Sequence, residues 1–147
     1  MIRTRIIGTG HYLPPRILTN TDLESMCDTT DEWVRQRTGI LQRHVAEPGQ
    51  GASDLGIPAA KMAIASAGLT VEDIDLVICC TTTSDYQFPA TACVIADAIG
   101  MGTKPSFDVN AACSGFMYGL ATADAYIRSG MYNTIAVVGS ELASNRR

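Results

Sequence analysis

The segment Asn110-Ala111-Ala112-Cys113-Ser114-Gly115-Phe116 sets one thiol among residues small enough to let a bulky reactant approach it. The pattern places Cys113 where a buried strand over Ser106–Val109 hands over to a long helix running towards Ser129. In the first turn of a helix, unpaired backbone N–H groups and the positive end of the macrodipole both favour thiolate over thiol. The thiolate is the attacking species in acyl transfer through a covalent thioester. A cysteine at such a junction is also commonly a small buried hydrophobe, so Cys113 taken alone supports both readings.

Other side chains invite the same double reading. Trp33 and Arg37 lie one turn apart on a short amphipathic helix. Indole and guanidinium offer two flat π surfaces suited to a nucleotide base. A half-buried packing tryptophan beside a solvated arginine fits the pattern equally. Thr29 and Glu32 make a Thr-x-x-Glu capping box, which accounts for Thr29 without a ligand. Phe88, ahead of Pro89 at a helix start, reads as a hydrophobic staple. Cys93 reads as core, Met101, Met117 and Met131 as gap-fillers, and Asp108 as a solvated strand-end carboxylate. Gly115 is expected to let a backbone or ligand pass close to the helix start. His11 and His44 both precede Cys113 and read as surface or strand-end residues. The five cysteines contain no C-x-x-C pair. Cys79 and Cys80 point to opposite faces of one strand, so they neither chelate nor bridge easily. Reduced thiols and a cytoplasmic setting follow.

Phe107-Asp108-Val109-Asn110-Ala111-Ala112-Cys113-Ser114-Gly115-Phe116 resembles the nucleophile segment of the β-ketoacyl-[acyl-carrier-protein] synthase III family, condensing enzymes of the thiolase superfamily. Ile7-Gly8-Thr9-Gly10 with Tyr12-Leu13-Pro14 resembles its opening strand and turn. Thr29-Thr30-Asp31-Glu32-Trp33 with Arg37-Thr38-Gly39-Ile40 resembles its coenzyme A-binding segment. Phe88-Pro89 with Ala92-Cys93, then Val137-Val138-Gly139-Ser140-Glu141, continue the likeness in order, so that it runs from Ile2 to Arg147. The resemblance implies an α/β chain: the N-terminal half of a five-layer αβαβα thiolase-like fold with a mostly parallel mixed sheet.

It also implies a function. A short acyl-CoA primer acylates Cys113, and decarboxylating condensation with malonyl-acyl carrier protein then initiates fatty acid synthesis. Trp33 and Arg37 would hold coenzyme A, with Thr29 nearby. Phe88 would close the acyl pocket of a homodimeric partner. The thioester is a substrate, and no cofactor or metal is implied. The family's nucleophile works with a histidine and an asparagine from a C-terminal half. Neither His11 nor His44 matches that histidine, so a complementary half is expected. Three rival readings remain open. One is a secondary-metabolite condensing enzyme of the same superfamily, and another is a non-catalytic half-subunit. The third is a redox thiol protein, which the lack of a resolving cysteine near Cys113 weakens.

Composition narrows the field further. A net charge of −4 without a Lys/Arg cluster argues against nucleic-acid binding, and Arg146-Arg147 is too small a patch to alter that. No apolar stretch reaches the ~18–20 residues that span a bilayer, and Met1-Ile2-Arg3-Thr4-Arg5 lacks the apolar region of a signal peptide. Of the 147 residues, 46% are hydrophobic and 18% charged. Cys113 to Ile127 carries Asp124 as its sole charge. A helix apolar nearly all round is normally covered on all sides, which points to a second sheet from outside this chain.

The elements that must position these residues can be read in order. Thr4–Thr9 is expected as a strand, and Pro14-Pro15 begin a loop. Thr19 or Asn20 caps a short helix through Met26, and Thr29 begins a second that Gly39 ends. Ile40–Ala46 reads as a strand. Ser53 caps a helix to Ala67 with Gly68 after it and Pro58 awkwardly inside. Asp75–Thr82 is a buried strand, and Pro89 starts a helix ending near Gly100. The nucleophile strand and its helix follow, closed by Gly130, then a last strand over Thr134–Val138. Strands alternating with helices imply a parallel or mixed sheet covered on both faces.

Overall fold

The structure, a computed structural model, describes residues 2–144; Arg146 and Arg147 lie outside them. The chain divides into two units, a smaller one of residues 13–49 and 144–147 and a larger one of residues 1–12 and 50–143.

The smaller unit begins with β1 (Arg16–Thr19), α1 (Asn20–Glu24), α2 (Asp31–Thr38) and β2 (Gln42–Val45). β1 and β2 pair antiparallel, Arg16 opposite Val45 and Thr19 opposite Gln42. Residues 16–19 carry no alternating apolar pattern, and the strand exists because β2 offers it a ladder. Thr19, not Asn20, caps α1. Its hydroxyl and N–H bond the Asp22 carboxylate at 2.6 and 2.8 Å, and it accepts from the Asp22 N–H at 3.2 Å. Those bonds hold the exposed Asp22 carboxyl below its ordinary pKa. α2 is capped by Thr30 rather than Thr29, because Thr30 Oγ1 accepts the Trp33 N–H at 3.1 Å. Glu32 instead accepts from Gln36 Nε2 at 2.9 Å, so the expected capping box is absent. Gly39 closes α2 at φ +72°, a left-handed conformation that glycine adopts without penalty.

The larger unit runs through α3 (Ala52–Ser66), β3 (Leu76–Cys80), α4 (Thr91–Ile99), β4 (Ser106–Val109), α5 (Gly115–Ser129) and β5 (Ile135–Gly139). β3 is central and parallel to both neighbours, giving the order β4-β3-β5. All five β3 residues are buried, as expected of a strand covered on both faces. On one face Val77 and Cys79 join Ala60, Ala92, Ile95, Ala96 and Val138, beneath α3 and α4. On the other, Leu76, Ile78 and Cys80 join Ala123, Tyr126, Phe107 and Val137, beneath α5. Cys79 and Cys80 therefore do face opposite cores. Each fully buried Leu or Ile of this set contributes about 1.5–3 kcal/mol.

The described three-stranded sheet is parallel, within the parallel or mixed arrangement expected, and β1–β2 forms a two-stranded antiparallel sheet of its own. Two expectations fail in the larger unit. No strand forms over Thr4–Thr9. Instead the N–H and C=O of Thr9 both bond Ser66 Oγ at 2.8 Å. The segment also lies so close on α3 that a Cβ at Gly8 or Gly10 would meet the Ala63 or Ala59 carbonyl at 2.3 Å. Ser53 does not cap α3: Gly51 does, its N–H bonding Asp54 Oδ2 at 2.8 Å, while Pro58 sits in the helix interior.

Candidate active site

Three parallel strands end at one edge of the sheet, at Cys80, Val109 and Gly139. The carboxyl edge of a parallel sheet is where α/β proteins place their ligands. Asn110–Ser114 leaves β4 at this edge. Cys113 is the middle residue of a single 3-10 turn, Ala112–Ser114, that runs directly into α5. The Ser114 N–H bonds the Ala111 carbonyl at 3.1 Å, and the Gly115 N–H bonds the Ala112 carbonyl. Cys113 is exposed, which removes the buried-hydrophobe reading.

The turn is strained. Ala112 has φ +47°, the one positive φ outside glycine among the described residues. That conformation costs an alanine about 1–2 kcal/mol, and it immediately precedes the exposed Cys113. The close approach expected at Gly115 occurs one turn later. A Cβ at Gly115 would find ordinary contact at 3.6 Å, whereas one at Gly119 would lie 2.4 Å from Cys80 Sγ and 3.0 Å from Val137 Cγ1. Gly119 is what lets α5 lie flat on the sheet.

Carboxylates that the sequence left unexplained tie this edge together. Asp108 is not a solvated strand end: its oxygens accept the Thr91 and Ala92 N–H groups at 2.8 and 2.7 Å, capping α4 from β4. Asp85 accepts the Ser53 N–H at 3.1 Å in the first turn of α3. Glu141 accepts from the Thr82 N–H at 2.8 Å and the Thr83 hydroxyl at 2.8 Å, joining the loops after β3 and β5. The Ser140 hydroxyl donates to the Ala52 carbonyl at 2.6 Å. No local signal marks these residues, because each partner is remote in sequence. Burial, with the Asp108 carboxylate adding to it, pushes the Cys79 thiol far above its ordinary range. Burial likewise raises the Cys80 thiol. Both are inert neutral thiols.

The remaining expected site residues fall as follows. Trp33 is 56% exposed rather than half-buried packing. Thr29, released from capping, lines with Asp28, Thr30 and Trp33 a small concavity of about 230 Å³. Arg37 is exposed one turn beyond Trp33 and forms no ion pair among the described residues, whereas Arg35 pairs with Asp31 at 3.4 Å. Phe88 is 90% exposed and staples nothing, and α4 begins at Thr91 with Ala90 as its cap, not at Pro89. Cys93 is exposed, its Sγ 3.6 Å from the Ser106 carbonyl oxygen, rather than core. The His44 ring bonds the Pro14 carbonyl, and the exposed His11 N–H meets Met62 Sδ at 3.4 Å. Phe116, Met117 and Tyr118 of α5 are exposed. Among the described residues no cluster of three metal-ligating side chains occurs, and no helix is long and apolar enough to cross a membrane.

Comparison with known proteins places this geometry. Residues 107–146 match the family 3-oxoacyl-[acyl-carrier-protein (ACP)] synthase III. A β-ketoacyl-[acyl-carrier-protein] synthase III of Thiobacillus denitrificans is 50% identical over 145 residues, spanning 98% of this chain and 46% of the relative. That of Caldanaerobacter subterraneus subsp. tengcongensis is 48% identical over 143 residues, spanning 97% and 43%. The crystal structure of 3-oxoacyl-[acyl-carrier-protein] synthase III from Aquifex aeolicus superposes with a TM-score of 0.91 at 44% identity, over 94% of this chain and 44% of that one. The priming β-ketosynthase of the R1128 polyketide pathway superposes with a TM-score of 0.89 at 35% identity, over 93% and 41%. The chain thus spans a little under half the length of the relatives it matches.

Proposed function

We propose that this chain, 50% identical over 98% of its length to a β-ketoacyl-[acyl-carrier-protein] synthase III of which it spans 46%, belongs to that family as its N-terminal half, and that it supplies the nucleophile and the coenzyme A-binding helix of such a condensing enzyme. The observation that carries the proposal is the exposed Cys113, held in a strained turn at the carboxyl edge of the parallel sheet and at the start of α5.

Cys113 Sγ attacks the carbonyl carbon of a short acyl-CoA. The bond from that carbon to the coenzyme A sulfur breaks, coenzyme A leaves as its thiol after taking up a proton, and an acyl-cysteine remains. The Cys113 backbone N–H serves as one donor to the tetrahedral oxyanion, a contact of a kind whose loss costs about 3–4 kcal/mol of barrier. Malonyl-acyl carrier protein then loses carbon dioxide, and the resulting enolate carbon attacks the acyl group and frees Cys113. The groups for that second half would come from a complementary C-terminal half, among them an asparagine and a histidine that neither His11 nor His44 matches. Trp33 and Arg37, with Thr29, hold the nucleotide end of coenzyme A. Phe88 serves a homodimer interface, its exposure leaving the ring free for a partner. The enzyme acts in the cytoplasm, with the thioester as its only organic reactant besides malonyl-acyl carrier protein. A related reading, a priming enzyme of secondary metabolism, is favoured by the likeness to the R1128 ketosynthase.

The test is to incubate the protein, in its native full gene context, with mixed acyl-CoAs and to map adducts by peptide mass spectrometry. An acyl group on the Cys113 peptide, lost in Cys113→Ser, is expected. No adduct from a folded protein containing both halves would refute the proposal and point to a silent subunit.

A further inference from the structure

The deepest-set polar side chain of the smaller unit is Asn20, 1% exposed, at the first position of α1. Its Nδ2 donates to Asp31 Oδ1 at 2.8 Å, at the start of α2, and to the Ile40 carbonyl at 2.8 Å, the residue after the Gly39 cap that ends α2. Its Oδ1 accepts from Arg43 Nη1 at 2.9 Å, on β2. One buried amide therefore ties down both ends of an eight-residue helix and fastens them to the neighbouring strand. A second strap comes from the same side: the Asp31 N–H donates to Glu24 Oε1 at 2.7 Å. Apolar packing holds α2 weakly, since Val34 is its one buried residue. A helix so short and so little buried is marginal by itself. Its placement depends on this polar clamp.

We propose that Asn20 is a positioning residue for coenzyme A: it fixes the angle at which α2 presents Trp33 and Arg37 to the nucleotide end of the ligand. The proposal rests on the coenzyme A reading of those two residues. Leucine at position 20 keeps the same heavy-atom branching, with bulkier methyl groups, but would leave Asp31, the Ile40 carbonyl and Arg43 without their buried partner. Aspartate would lose both donors and set a second carboxylate against Asp31. Neither change touches the ligand.

The test compares two primers in the protein expressed from its native gene context: an acyl-CoA, and the same acyl group on pantetheine, which keeps the reactive thioester and lacks the nucleotide. Asn20→Leu is expected to raise KM for the acyl-CoA about tenfold. It should leave kcat within about twofold and the KM for acyl-pantetheine unchanged. Turnover of acyl-pantetheine also reports that the variant is folded. Equal losses on both primers, including loss of all activity, would overturn the proposal in favour of general structural support; so would no change on either. Trp33→Ala run in parallel separates the two layers. If Trp33→Ala discriminates between the primers and Asn20→Leu does not, the clamp is wrong and the coenzyme A site stands. If neither discriminates, the coenzyme A reading itself fails.

Discussion

Replacing Gly119 by alanine tests whether α5 owes its place on the sheet to a missing side chain. The new Cβ would stand 2.4 Å from Cys80 Sγ and 3.0 Å from Val137 Cγ1. Ordinary nonbonded separations are about 3.5–4.0 Å, so roughly 1 Å must be found. Cys80 is 5% exposed and cannot swing its sulfur into solvent; either its rotamer strains or α5 lifts. Overpacking of this kind costs about 1–3 kcal/mol. Alanine returns up to about 1 kcal/mol through better helix propensity. A net loss of about 1–2 kcal/mol is therefore expected, lowering Tm by roughly 3–6 °C at this chain length. Because α5 carries Cys113 at its start, a displacement near 1 Å should also slow acylation, by up to about a hundredfold. Cys80→Ala removes the obstructing sulfur, so the double variant should recover most of both losses. Urea unfolding and the rate of Cys113 acylation measure the cycle. A Gly119→Ala protein within about 0.5 kcal/mol of its parent, or a double variant no better than the single, would refute the argument.

Ala112→Gly should relieve the φ +47° strain and leave stability equal or higher by up to about 1 kcal/mol, while acylation slows because the turn no longer holds one conformation; unfolding and single-turnover rates check the split. Asp108→Asn should cost about 1 kcal/mol by weakening the cap on the two α4 N–H groups, measured by urea unfolding. Iodoacetamide under native conditions should label Cys27, Cys93 and Cys113 and spare Cys79 and Cys80, as peptide mapping would show. The two buried thiols have folded pKa values above their unfolded ones. The stability linked to them is complete below the ordinary thiol pKa of about 9 and is lost as pH rises through and beyond it, so Tm should fall on the alkaline side.

Elements with strong local patterns were readable in the sequence. The strand Ser106–Val109, the helix to Ser129 and the glycines closing α2, α4 and α5 stand where periodicity and capping chemistry put them. What failed was set at a distance. Thr4–Thr9 has the composition of a strand but finds its partners in Ser66 and the α3 backbone. Thr30 displaced Thr29 as a cap because adjacent threonines compete for the same N–H, and composition cannot choose between them. Asp108, Asp85 and Glu141 look like solvated carboxylates until the fold brings helix termini and loops from 16 to 59 residues away onto them. The place of Cys113 at a strand–helix junction was legible because its immediate neighbours set it. Asn20 was not, since its role is defined by three partners 11 to 23 residues downstream.

The open side of β5 has a kinetic signature. The Ser140 N–H bonds the Cys80 carbonyl at 3.2 Å, continuing the ladder to β3. The two-residue period of a strand then turns the N–H groups of Ile135, Val137 and Gly139 the other way. They face a cavity of about 600 Å³ between β5, residues 4–10, α3 and α5. In deuterium exchange, neighbouring amides along this one strand should therefore alternate, slow at Ala136 and Val138 and fast at Ile135, Val137 and Gly139. Any polypeptide that pairs with that edge would erase the alternation, so exchange along five residues reports whether the sheet has gained another strand.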